Sequence, residues 1–343
     1  MNSPTTRWGI LATGAIAATI AADLDKVPGA VKAAVASRDQ ARAQAFADQH
    51  GFARAYGSYD QLLADPDIDV VYVATPHGQH HAVASQVLAA GKPALIEKSF
   101  TCSAAATEDL VRQAEAAGVF CMEAMWLRFQ PALAAAREVV RSGAIGTVRA
   151  VQADLGFPAQ VPASHRLLDP AKGGGALLDL GVYVVHIAQW FLGTASSVTT
   201  VGTLGPTGVD VEAGLLLGYP QGEHAVLSCS LTSASPGQAV IVGTSGRIVI
   251  PPRFHHPGEL RVELLPGAGR GEPSVEVVAN PLRGAGYAHE LEHVGECLAQ
   301  GLTQSPVLPL SDTVDVMRVL DAALEELGAP HVDEGFAGSG ARR

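Results

Sequence analysis

The first third of the chain alternates short apolar runs with helical patterns, and no other feature restricts the possible fold as much. Apolar runs at 8–11, 31–36, 70–74, 94–97 and 119–123 read as strands. Between them, 40–50 carries Ala41, Ala45 and Phe46 at helical spacing, and 81–90 stops at Gly91, so both read as helices. Strands separated by helices make βαβ units and a parallel sheet. The uninterrupted apolar stretch 70–74 fits a central strand covered on both faces.

After Trp126 the rhythm changes. A helix at 131–142 is followed by an alternating segment at 147–155, a Gly173-Gly174-Gly175 break and a helix running to Phe191. Strands then come in series at 197–204, 212–217, 224–231, 239–242, 247–250, 260–264 and 275–278. A series without intervening helices implies a large, mostly antiparallel sheet. Helices at 287–300 and 312–327 close the chain, and the tail 336–343 is expected to fray. The fold class is therefore α/β: an N-terminal Rossmann-type parallel sheet followed by a C-terminal α+β domain with an open sheet.

The first strand and first helix are joined by Ala12-Thr13-Gly14-Ala15-Ile16-Ala17. A dinucleotide fold places a glycine-rich turn here so that backbone N–H groups at the helix start can approach a pyrophosphate. Ala12 stands where the first glycine is usual, and Ala17 occupies a position that tolerates alanine. We therefore expect Ala12, Thr13, Gly14, Ala15 and Ile16 to hold the cofactor. At the tip of the second strand, where an acidic residue would hold the ribose of NAD, the chain offers Ser37-Arg38, then Asp39 and Arg42. A hydroxyl and two guanidinium groups suit a 2′-phosphate, which favours NADP, with NAD possible. The alternative is that Ser37 caps the next helix and Arg38 is solvated. These motifs mark a dinucleotide-binding domain at 1–126 and a second domain at 127–335, to which the family resemblance that follows from later motifs assigns substrate binding and oligomerisation.

With 34 acidic and 23 basic side chains, the net charge of −11 argues against nucleic-acid partners and anionic membrane surfaces. Cys102, Cys121, Cys229 and Cys297 are widely spaced, without a Cys-x-x-Cys pair, and read as reduced thiols. The apolar run 9–22 after Arg7 resembles a secretory leader, but its strand-turn-helix form reads better as the start of the fold. Elsewhere no unbroken apolar run is long enough to span a bilayer, so a cytoplasmic protein is expected.

Two further segments carry chemistry. Ile96-Glu97-Lys98-Ser99 ends a strand at the carboxyl edge of the parallel sheet, where open α/β folds bind ligands. On a regular helix, the run from Gly173 to His186 would put Asp179, Tyr183 and His186 on one face. Together they resemble the glucose-fructose oxidoreductase, inositol dehydrogenase and MocA family, marked by a Glu-Lys-Pro turn and a Gly-Gly-x-x-x-Asp-x-Gly-x-Tyr/His helix. Tyr56-Gly57-Ser58-Tyr59, the run from Met122 to Phe129, Gly174 to Tyr183 and Thr207-Gly208-Val209-Asp210 are similar to its branch of dimeric dihydrodiol dehydrogenases and D-xylose dehydrogenase-like members. The likeness extends from Arg7 to Val307.

The resemblance implies a Rossmann domain joined to an α/β domain whose open sheet forms a homodimer or homotetramer, with the substrate between the domains. It further implies hydride transfer between the nicotinamide and a secondary alcohol or ketone of a sugar or cyclic vicinal diol. Lys98 and Tyr183 would be the catalytic pair, because a nearby ammonium favours the phenolate of a tyrosine that must accept a proton. Asp179 would orient the lysine or a second hydroxyl. Trp126 and Phe157 would line the pocket, with Arg128 and Arg166 as weaker candidates. Thr75, Pro76 and His80 would lie on the cofactor side, as would Glu97 beside Lys98. Ser99 replaces the usual proline, which would fix a turn or a cis bond.

Two other readings stay open. His289-Glu290-Leu291-Glu292-His293 matches His-Glu-x-x-His, the zinc hydrolase motif, although Leu291, Val294 and Leu298 form an ordinary packing stripe beside it. A non-enzymatic sensor is also conceivable, since one member type of the family, the yeast galactose-gene repressor, binds dinucleotide without turnover. No metal is expected at His77-Gly78-Gln79-His80-His81, and His255-His256 reads as a surface loop.

Overall fold

The computed structural model describes residues 5–266, 272–279, 282–329 and 332–336. Among the described residues two compact units form: one from residues 5–126, 283–313 and 333–336, the other from the described residues of 127–282 and 314–332. The chain thus returns to the first unit after residue 282, a crossing absent from a linear division at residue 126.

In the first unit, β1 (Thr6–Leu11), α1 (Ala15–Leu24), β2 (Ala30–Ala36), α2 (Gln40–His50), β3 (Arg54–Tyr56), α3 (Tyr59–Leu63), β4 (Val70–Val73), α4 (His80–Ala89), β5 (Ala94–Glu97), α5 (Ala104–Ala117) and β6 (Cys121–Ala124) follow one another. All six strands pair in parallel, in the order β3-β2-β1-β4-β5-β6. Chain direction across the sheet reverses between β1 and β4, which opens a crevice at their carboxyl ends. Every residue of β4 is buried, as its continuous apolar run requires. Leu11, Val71, Val73 and Ile96 share one core with Val87 of α4 and Leu110 of α5. Asp39 caps α2 by accepting the Arg42 N–H at 2.9 Å, and Ser103 caps α5. The three-residue β3 and the short α3 were too brief to read from periodicity.

In the second unit, α6 (Pro131–Arg141) and β7 (Val148–Gly156) precede α7 (Val182–Leu192). Then come β8 (Ser197–Leu204), β9 (Asp210–Gly218), β10 (His224–Ser230), β11 (Ala239–Gly243), β12 (Gly246–Ile250), β13 (Glu259–Leu264) and β14 (Ser274–Ala279). The sheet order is β14-β13-β12-β11-β7-β10-β9-β8, antiparallel except where β7 pairs with β10. Alternation along the strands gives the sheet two unlike faces. Leu215, Leu217, Leu227, Ile241 and Ile248 are buried on the face that α7 covers at β7 and β10. On the other face Val201 is 71% exposed, Leu216 52% and Val226 49%, with Leu216 directly opposite Val226.

The helical stretch Pro170–Leu192 has the length and apolar content of a membrane span, yet 83% of its most apolar 18-residue window is buried inside the structure, as a core helix would be. Helices α8 (Ala288–Ala299) and α9 (Leu310–Leu327) complete the chain. Asp23 of α1 draws the returning segment in by accepting the N–H groups of Ala285 and Tyr287, both at 2.8 Å. Of the tail expected to fray, Phe336 packs on the His81 ring at 4.5 Å. Residues 337–343 lie outside the described residues.

Candidate active site

At the end of β1 the chain turns sharply. Ala12 has φ 80°, in the left-handed region that favours glycine, and its N–H donates to the Ala36 carbonyl at 3.0 Å. The backbone therefore keeps the conformation a first glycine would take freely. Ala12→Gly should accordingly stabilise the protein by about 0.5 kcal/mol, the reverse of the usual Ala→Gly loss. Urea denaturation of the dinucleotide-free protein measures this, and a loss of stability would refute it.

The turn also meets the test for a bound dinucleotide. A Cβ placed on Gly14, just ahead of α1, would meet nothing within 4 Å. At the end of β4 the buried Thr75 Oγ1 has no hydrogen-bond partner among the described residues. Open backbone at a helix start and an orphaned hydroxyl across the switch point are what a pyrophosphate site requires. Thr13, Gly14, Ala15 and Ile16 form this turn, and Pro76 follows Thr75.

At the tip of β2, Ser37 is buried, with its N–H donating to the Tyr56 carbonyl at 3.1 Å. The alternative that Ser37 caps α2 is overturned, because Asp39 is the N-cap. Arg38 and Arg42 are exposed, and both guanidinium groups oppose the rise that burial gives the Tyr59 phenol. Two cations thus gather at one point. Neither makes an ion pair among the described residues.

At the end of β5, Glu97 is buried; it accepts the Tyr72 hydroxyl, and its Oε2 accepts the Lys98 N–H at 3.1 Å. Burial, with Glu97 alongside, raises the Tyr72 pKa well above the ordinary phenol value. Lys98 is half-buried, and the Lys98–Ser99 peptide is cis. His80 lies behind it, with Nδ1 2.7 Å from the Ser99 carbonyl and Nε2 2.8 Å from the Thr75 carbonyl. Burial lowers the pKa of this imidazole, and Lys98 lowers it further. The ring is fully buried. It ties the ends of β4 and β5 together.

In the second unit the Gly-Gly pair is a packing requirement. A Cβ on Gly174 would stand 2.8 Å from the Arg166 and Leu167 carbonyls, and one on Gly175, at φ 128°, would stand 2.1 Å from Asp210 Oδ1. That room admits Asp210, which is fully buried and accepts the Leu177 N–H at 2.6 Å at the start of the helical run. Burial pushes its pKa up to about 7. Leu177–Gly181 is π-helical before α7 begins, so the regular spacing expected of Asp179, Tyr183 and His186 is interrupted. Asp179 is buried and accepts from Arg166 Nη1 at 2.9 Å. Tyr183 is 6% exposed, with the ring of His255 5.1 Å from its own. His186 is wholly buried.

The expected pocket residues have separate fates. Trp126 is buried in the first unit, stacked on Tyr287 at 4.1 Å and 8°. Phe157, at the end of β7, is 41% exposed. Arg128 is 1% exposed, donates to Gln189 and lies over the Trp190 ring at 4.9 Å, so it packs the second unit and offers no free guanidinium to a ligand.

The zinc motif is divided on α8. Glu290 is fully buried, and burial with Glu97, Asp23 and Glu123 nearby raises its pKa well above the usual carboxyl value. His293 Nε2 instead meets Ser305 Oγ at 2.7 Å. Sequence reading named Glu290 only within that motif, Asp210 only within the Thr207-to-Asp210 motif and His255 only as part of a surface loop, and it did not single out Tyr287.

Residues 6–125 match the model of an oxidoreductase family with an NAD-binding Rossmann fold, and 133–249 match the GFO/IDH/MocA C-terminal domain. A trans-1,2-dihydrobenzene-1,2-diol dehydrogenase from Mus musculus is 38% identical over 330 residues, covering 94% of this chain and 97% of that protein. A levoglucosan dehydrogenase in complex with NADH and levoglucosan superposes with a TM-score of 0.86 at 21% identity, covering 94% of this chain and 97% of that one. A 3-ketoreductase from Actinomadura kijaniata in complex with NADP and TDP-benzene does so with a TM-score of 0.80 at 26% identity, covering 96% and 99%.

Proposed function

Because the chain belongs to the GFO/IDH/MocA oxidoreductase family, we propose that it is an NADP-dependent dehydrogenase or reductase acting on a secondary alcohol or ketone of a sugar or cyclic vicinal diol. The carrying observation is the β1–β4 switch point, where Gly14 leaves open backbone and Thr75 an unmatched hydroxyl, flanked by the Arg38 and Arg42 charges. The diol dehydrogenase activity by which the mouse relative is named supports a diol or sugar substrate.

The bound dinucleotide supplies hydride acceptance in one direction and donation in the other. Ala12 to Ile16, with Thr75 and Pro76, would hold its pyrophosphate and nicotinamide side, and Ser37, Arg38 and Arg42 its 2′-phosphate. Glu97 fixes the backbone from which Lys98 projects. Tyr183 takes the proton of the carbinol, and the Lys98 ammonium makes that possible by favouring the phenolate. Asp179, oriented by Arg166, receives a second hydroxyl. Trp126 and Phe157 supply apolar walls.

The exposed valine and leucine face of the second-unit sheet fits a homodimer or homotetramer contact. Four free, buried cysteines fit the cytoplasm. The test is turnover of a sugar and diol panel with NADP+ and NAD+, alongside quenching of Trp8, Trp126 and Trp190 fluorescence. NADP+-dependent oxidation with tighter NADPH binding is expected. Dinucleotide binding without turnover of any substrate would leave the sensor, and failure of both dinucleotides to bind would overturn the reading altogether.

A further inference from the structure

The turn after β12 reads Pro251-Pro252-Arg253-Phe254-His255-His256-Pro257, and it is built to hold one side chain still. Prolines stiffen both ends. Arg253 sits at φ 66°, a conformation that non-glycine residues seldom adopt. Phe254 is fully buried, and its N–H donates to the Gly237 carbonyl at 3.1 Å, while the His256 N–H donates to Arg253 at 2.9 Å. His255 is therefore gripped by its neighbours: Phe254 meets its ring edge-on at 5.8 Å, and His256 packs on it at 4.4 Å. What it faces is Tyr183, ring centroids 5.1 Å apart and tilted by 39°.

A ring fixed beside the proposed acid/base would be an apolar wall if its only task were to shelter a hydrocarbon diol. An imidazole instead carries a donor and an acceptor. Packed against the Tyr183 ring, that imidazole adds hydrogen-bonding capacity beside the proposed acid/base. Resting on the reading of Tyr183 above, we propose that His255 is a specificity-determining residue that hydrogen-bonds a third substrate hydroxyl, one a sugar ring carries and a vicinal diol on a hydrocarbon ring lacks. A site that pairs a substrate hydroxyl discriminates strongly against the analogue without it.

The test compares parent, His255→Phe and His255→Gln on D-xylose, D-glucose and trans-1,2-dihydrobenzene-1,2-diol, with Tyr183→Phe as control. In His255→Phe we expect KM for the better sugar to rise about tenfold or more with kcat within a few-fold. The kcat/KM for the dihydrodiol should hold or increase. His255→Gln should recover most of the sugar KM. Equal losses on sugar and dihydrodiol, or none on either, would overturn the proposal. If Tyr183→Phe turns over like the parent, the acid/base reading itself fails; if that variant is inactive while His255→Phe matches the parent, only the present proposal does.

Discussion

Tyr183→Phe is expected to lower kcat about 10³-fold with dinucleotide affinity intact, since a positioned acid/base contributes about 10² to 10⁴. The substitution keeps the ring that packs on His255, so the fold should survive. A free phenol with a pKa of about 10 is almost wholly protonated at neutral pH and cannot accept the carbinol proton. Lys98→Met should therefore cost a similar factor by a different route. On the proposed pairing, loss of the ammonium would disfavour the phenolate, so the rising limb of kcat against pH is expected to move to more alkaline values, with activity partly returning there. The Tyr183→Phe variant has no phenol to titrate and should show no such recovery. Stopped-flow or steady-state rates between neutral and alkaline pH separate the two. Turnover of either variant within a few-fold of the parent would refute the catalytic pair.

Much of this molecule is written in local pattern, and the parts that escaped reading depend on contacts between distant residues. Strands β1, β2, β4 and β5 announce themselves because their apolar runs are bounded by turn residues, and the switch-point turn lies where the first strand meets the first helix. The alternation along β9 to β13 likewise predicts an open sheet with one buried face. No local pattern says that α8 belongs with the first unit. That placement rests on Asp23 meeting the backbone at Ala285 and Tyr287, some 262 and 264 positions away. It is also why His-Glu-x-x-His stayed open as an alternative: periodicity puts the two histidines together but cannot say that Glu290 is fully buried beside Glu97 and Glu123. The same holds for Asp210, which reaches Leu177 across 33 residues and explains Gly175 only once the two are side by side. His255 read as surface because prolines flank it, whereas those prolines present it to Tyr183. The π-helical turn at Leu177–Gly181 has no signature in an apolar, glycine-led run, so the regular helix was the natural expectation.

Arg38→Ala combined with Arg42→Ala is expected to weaken NADPH binding about 100-fold while leaving NADH within a few-fold. A hydrogen bond to a charged group contributes about 1.5–3 kcal/mol; for two neighbouring guanidiniums a combined loss of about 3 kcal/mol corresponds to that hundredfold change. Both side chains are exposed and outside any ion pair among the described residues, so removing them should change stability by no more than about 0.5 kcal/mol. Their charges already converge on Tyr59, and a 2′-phosphate at the tip of β2 would meet both at once. Added salt screens exposed charges and should therefore weaken NADPH binding to the parent more than NADH binding, a difference the double variant should lose. Fluorescence titrations of parent and variant with each dinucleotide, at low and at physiological ionic strength, give all of these values. Equal losses for NADPH and NADH would mean that the arginines serve the turn as a whole, and the preference for the phosphorylated cofactor would have to be abandoned.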